Sequence, residues 1–243
     1  MTTNQTSGRR GLVWAIVGGL VLIAGIVAIV VSSLLAQSAP APTESAAPQP
    51  TASPSTGEPP AGDVVDASVI DHGWLPEPIT TDREVYIRAA LEAAATFDTQ
   101  KSTRKEWLGY LDSWFTPDTR YAEADRADRL RAAQLELRQG VVLPQEEWDS
   151  LANEDGRVVA TATGEPVYVP VTDDASGDMS IGTSDVTLTF TRSDGSGGET
   201  SYEEQVRVSV QVLCGPGSVP TPDSAQRAGD CKVVRYFTEP LEP

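Results

Sequence analysis

The chain's 243 residues carry 18 Lys plus Arg against 35 Asp plus Glu, a net charge of −17, with one histidine and two cysteines. A surface this acidic repels phosphate backbones, which excludes non-specific nucleic-acid binding as a main activity. A single histidine leaves a Ser-His-Asp triad or a histidine-rich zinc site short of ligands and partners.

Residues 1–10 form a short tail ending in Arg9 and Arg10, and an uninterrupted apolar or glycine run follows from Gly11 to Val31. At about 1.5 Å per residue this run covers roughly 31 Å, the thickness of the hydrocarbon core. The uncharged stretch continues to Leu35, so residues 11–35 read as a single transmembrane helix. Basic residues flank only its N-terminal end, which places residues 1–10 in the cytoplasm and the rest outside. Ala36-Gln37-Ser38 loosely fits a signal-peptide cleavage site, but the run exceeds the usual 7–15 apolar residues by about half again or more. The expectation is an uncleaved anchor and a cell-membrane, single-pass protein.

Residues 36–62 shift to Pro, Ala, Ser and Thr, with seven prolines between Pro40 and Pro60. Nothing here can bury a core, and in polyproline geometry the segment reaches about 80 Å. It reads as a stalk holding residues 63–243, one extracytoplasmic domain, away from the bilayer.

The first half of that domain has helical period. Thr81 and Glu84 resemble a capping box ahead of Val85, Ile87, Ala90, Leu91, Ala94 and Phe97, predicting a helix of about 16 residues. Thr103 and Glu106 repeat the box before Trp107, Leu108, Leu111, Trp114 and Phe115. Pro117 fits the first position of a charged helix ending at Gly140, and Pro144 through Leu151 predicts a last helical turn. After Asp155-Gly156 the period changes to two. Val167 to Val171, Val186 to Thr191, Val206 to Val212 and Lys232 to Thr238 read as half-buried strands, with Gly195 to Gly198 turning between the second and third and Pro170 marking a sheet edge. The fold class is α+β: helices packed on a curved antiparallel sheet.

Cys214 and Cys231 bracket a Pro/Gly/Ser-rich loop before the last strand. Outside the cytoplasm they are expected to pair, contributing about 3 kcal/mol in the chain-entropy model. No Cys-x-x-Cys motif points to redox chemistry.

Catalytic chemistry is sparse. His72, in Asp71-His72-Gly73-Trp74, reads as a residue of a surface arm; Asp173, Asp174 and Asp178 miss the spacing of a calcium loop and read as a solvated turn; Gly195, Gly197 and Gly198 lack the following helix that a phosphate cradle needs. Trp107, Trp114, Phe115 and Trp148 read as core rather than as a pocket lining. No catalytic residue, metal ligand or cofactor site is assigned.

Ala90-x-x-x-Ala94-x-x-Phe97, the Trp107-Leu108-x-x-Leu111 helix and the terminal Val233-Val234-Arg235-Tyr236-Phe237, behind one span and a Pro-rich stalk, resemble the nuclear-transport-factor-two-like domains of bitopic assembly proteins. Those proteins belong to type IV secretion and conjugative transfer systems, here of the Gram-positive, actinobacterial type. The resemblance implies a cone of helices on a curved (cystatin-like) sheet and a non-enzymatic scaffold. It also implies contacts with other membrane or channel subunits and homo-oligomers, while the net charge of −17 argues against carrying over any direct nucleic-acid contact. The Cys214–Cys231 loop has no counterpart in the general pattern. An exported module of the same fold that binds a small ligand or cell-wall component is the alternative. An isomerase or dehydratase using the cone pocket needs an acid/base carboxylate or histidine inside it.

Overall fold

The computed structural model describes residues 63–243. The predicted tail, span (11–35) and stalk (36–62) lie outside the described residues. Among the described residues no helix is long and apolar enough to cross a membrane.

The chain enters as an arm. Residues 63–65 and 77–79 face each other through Val65 N–H to Glu77 O (2.9 Å) and Ile79 N–H to Asp63 O (2.8 Å), around a 3₁₀ turn at Ala67–His72. That turn ends at Gly73, whose φ of 77° is left-handed and whose Cα lies so close to Asp98 that a Cβ would sit 2.4 Å from it. Helix α1 (Arg83–Ala93) follows, capped by the Asp82 carboxylate on the Glu84 and Val85 amides. The cap is thus Asp82 and not the Thr81–Glu84 box, and the helix is 11 residues rather than about 16. It stops because Thr96 and Phe97 are drawn to the sheet: Thr96 Oγ1 accepts from Ala160 N–H, and Phe97–Asp98 form a short strand, β1, against residues 157–158.

Helix α2 (Arg104–Ser113) has the predicted Thr103–Glu106 capping box, with both reciprocal bonds made. Pro117, however, opens no helix. Phe115 bridges to Val233, and Thr116 N–H donates to Val233 O (2.7 Å), so the chain leaves α2 extended along the sheet. Asp118 then turns it by accepting from the Arg120 amide (3.0 Å). Helix α3 (Glu123–Gly140) begins six residues after Pro117, and α4 (Gln145–Ala152) is the predicted last turn.

Strands β2 (Arg157–Val169), β3 (Met179–Ser193), β4 (Glu199–Leu213) and β5 (Lys232–Phe237) complete one antiparallel sheet in the order β1-β2-β3-β4-β5. The sheet is a curled half-barrel with the helices on its concave side. The strands outrun the predicted alternating cores because β2 absorbs Gly164 to Pro166 as an irregularity, whereas β3 and β4 pair over their full length without one. Pro170, expected inside a strand running to Val171, instead lies just beyond the end of β2, which is second in the sheet order. Even-numbered residues of β3 and β4 face the helices. Gly182 marks the closest approach, since a Cβ there would meet Ile87 Cδ1 of α1 at 2.8 Å.

The core lies between this face and α1, α2 and α4. Phe97, Trp107 and Trp148 form an aromatic cluster with centroids 4.1–5.5 Å apart, and all three are buried. Trp114 and Phe115 are buried as well, so the aromatic residues predicted as core are core. A small second cluster, Met179, Leu213 and Val234, packs on the opposite face.

Candidate functional site

Three places on the described domain combine chemistry with shape. The first is a charge pair the sequence does not announce. Glu77 and Lys232 are 155 positions apart, 0% and 1% exposed, and joined at 2.7 Å between Oε1 and Nζ. Lys232 also donates to Ser113 O (2.7 Å) and Thr221 Oγ1 (2.8 Å). Glu77 Oε1 further accepts from Tyr86 OH (2.6 Å) and Gln226 Nε2 (3.1 Å), and its backbone N–H donates to Tyr110 OH (3.0 Å). The cluster joins the arm, α1, α2, the disulfide loop and β5. Burial pulls the Lys232 pKa down and the Glu77 carboxylate opposes that pull; burial first, and Glu77 second, push the Tyr86 hydroxyl well above its ordinary value. Both side chains are buried and each has several partners, so the cluster ties these elements together.

Cys214 and Cys231 are bonded, as expected, and close the loop that carries Thr221 and Gln226. Cys231 N–H donates to Thr80 O (2.8 Å), so the disulfide sits beside the charge pair at the point where the arm meets β5.

The second place is a cleft beside α3, lined by Asp118, Arg120, Tyr121, Arg129, Glu136 and Arg235 among others. Its charges are matched internally. Arg120 grips Asp118 (2.6 Å), Arg235 grips Glu136 (2.7 Å), and Arg129 lies over Tyr121 (4.5 Å to the ring centre). Asp118, the most buried of the carboxylates there, is held by the Arg120 guanidinium.

The third is a groove of about 240 Å³ on the concave face, where the ends of α1 and α3 leave the sheet uncovered. Leu91, Ala95, Val141, Leu188, Val206 and Phe237 line it with their neighbours, and neither a carboxylate nor an imidazole does. Its volume falls short of the about 300–1,000 Å³ of small-molecule sites. It opens on β4, whose residues 199–206 are exposed throughout.

The residues singled out in the sequence are dispersed. His72 is exposed at the end of the 3₁₀ turn and stacks on Trp74 (4.8 Å). Asp174 accepts from Ser176 N–H, Ser176 OH and Met179 N–H, so its carboxylate caps its own turn. Gly195, Gly197 and Gly198 turn the β3–β4 hairpin around the Asp194 carboxylate. Sequence reasoning missed Glu77 and Lys232. The only local signal is that Lys232 is one of three lysines in the chain and sits in an otherwise apolar run between Cys231 and Val233.

No family model matches the chain. No curated relative matches it either. Among solved structures, an IcmL-like type IV secretion system protein from Legionella pneumophila is similar, at 15% identity and a TM-score of 0.42, over 67% of this chain and 95% of that chain.

Proposed function

We propose that this protein is a non-enzymatic, membrane-anchored scaffold subunit of a conjugative DNA-transfer or secretion machine, whose outer domain works by protein–protein contact. The observation that carries the reading is the chemistry of the concave face. Where a cone-shaped α+β enzyme keeps its acid or base, this domain has an apolar groove, and its fully buried charges, Glu77 and Lys232, engage each other. The span, the stalk and the motif resemblance to nuclear-transport-factor-two-like assembly proteins support the location and the machine. The net charge of −17 supports a role without direct nucleic-acid contact.

Cross-linked affinity purification of the full-length protein from its native membrane tests the proposal. Recovery of transfer ATPases and channel subunits is the expected result; recovery of the protein alone, or full activity of an anchor-free domain, overturns it. The alternative is an exported module of the same fold for a small ligand or wall component. That reading requires a ligand that raises the melting temperature of the domain.

A further inference from the structure

The three edges of the sheet are treated differently. The outer edge of β5 is covered at Val233 by Trp114–Thr116, through Val233 N–H to Trp114 O (2.9 Å) and Thr116 N–H to Val233 O (2.7 Å). The outer edge of β2 is covered over residues 157–162, by β1 at 157–158 and then by side chains, because Thr96 Oγ1 and Glu92 Oε1 accept the Ala160 and Ala162 amides (3.1 and 2.9 Å). β4 is paired by β5 over residues 209–213 only. From Glu199 to Val206 its second edge has no strand partner among the described residues, and alternate residues there present N–H and C=O outward. Of the devices that blunt an edge, this stretch holds no proline, no lysine and no bulge, and only the charges of Glu199, Glu203 and Glu204.

Resting on the scaffold reading above, we propose that the Glu199–Val206 edge and the groove beside it receive an extended segment of another protein, alternating basic and apolar residues, as an added strand. Backbone pairing along β4 supplies the affinity and the alternating side chains supply the choice of partner. On the helix side, Tyr202 and Val206 are 40% and 37% exposed and lead into the groove, so apolar side chains of the incoming strand fall against Val206, Val141 and Phe237. The stretch itself carries Glu199, Glu203 and Glu204 and no cation. Arg157 neutralises Glu199 (2.6 Å), which leaves Glu203, on the face away from the helices, for the basic side chains of the partner, while Glu204 lies on the helix side between Tyr202 and Val206. A second copy of this chain is a poor occupant. Two such stretches side by side gather six carboxylates on one ladder, and registers centred on Glu203 or Glu204 place like charges directly opposite. The same glutamates that repel a copy attract a basic strand.

Amide hydrogen exchange on the full-length chain tests this with a synthetic peptide of about ten residues alternating valine and lysine. Exchange across Glu199–Val206 is expected to slow by about tenfold or more with this peptide. It is expected not to slow with the valine–glutamate counterpart or with an N-methylated version that cannot pair. In the double variant Glu203→Lys, Glu204→Lys the preference should reverse toward the glutamate peptide. Absence of slowing, equal slowing by the N-methylated peptide, or retained lysine preference in the variant overturns the proposal. So does concentration-dependent protection of the stretch without peptide, which would identify a second copy as the occupant. Channel subunits that co-purify equally well with the double variant would remove the edge from the contact while leaving the scaffold reading in place.

Discussion

At the β5 end of the sheet the arm, α1, α2 and the disulfide loop converge on Glu77 and Lys232, and nearly every side chain from Cys231 to Tyr236 is buried. At the hairpin end, 199–206 of β4 is exposed on both faces and makes its backbone bonds to β3 alone. The two ends share one sheet and one alternating pattern of residues, yet one is tied by tertiary contacts and the other is held only by its own hairpin. The contrast separates what keeps the domain folded from what it leaves available, and it can be tested from both ends.

The largest effect belongs to the charge pair. Lys232→Met leaves the Glu77 carboxylate buried without its cation and should cost about 3–5 kcal/mol in urea unfolding. The double variant Glu77→Gln, Lys232→Met should recover part of that loss; strict additivity would mean the two groups are not coupled. Trp148→Ala removes one member of the Phe97–Trp107–Trp148 cluster and should cost about 3–5 kcal/mol by the same measurement. Cys214→Ser with Cys231→Ser should cost about 3 kcal/mol, or less where the neighbouring Cys231–Thr80 backbone bond holds the loop in place.

The alkaline limb comes next. Burial raises the folded pKa values of Tyr86, Tyr110 and Tyr236, so the unfolded chain ionises near pH 10 while the folded one holds its protons. Their contribution is therefore complete below pH 10 and is lost as pH rises beyond it. Lys232, lowered by burial, acts oppositely, because the unfolded chain holds the extra proton below about 10.5 and stability gains as pH rises toward that value. With three tyrosines against one lysine, thermal scans should show a net fall above pH 10. The smallest effect belongs to the open end, where Glu203→Lys, Glu204→Lys should change unfolding free energy by less than about 0.5 kcal/mol. A large loss there would show that the hairpin belongs to the stable unit after all.

The sequence made the α+β class legible because the change of period after Asp155-Gly156 is real, and α2 and the disulfide were legible because their signals are local. The errors fall where a distant contact overrides a local one. Pro117 is a good first helical residue, but Phe115 and Thr116 are already committed to Val233, more than a hundred positions later. Phe97 continues the stripe of α1, yet it pairs with Val158. The Glu77–Lys232 cluster was illegible because Leu75-Pro76-Glu77-Pro78 has no period and its partner arrives at the far end of the chain. The open edge of β4 was equally hidden, since alternation reveals which face of a strand is buried but not whether a neighbour lies beside it.

The placement of the arm has a mechanical meaning. A pull on the chain at Asp63 passes first through the short pairing of 63–65 with 77–79, then reaches the sheet at the Cys231–Thr80 backbone bond and the Glu77–Lys232 clamp, directly beside a covalent cross-link. Tension entering from that side thus meets the cross-linked, charge-paired part of the domain before it reaches the β3–β4 hairpin. A pull at this point would leave the open edge of β4 undisturbed.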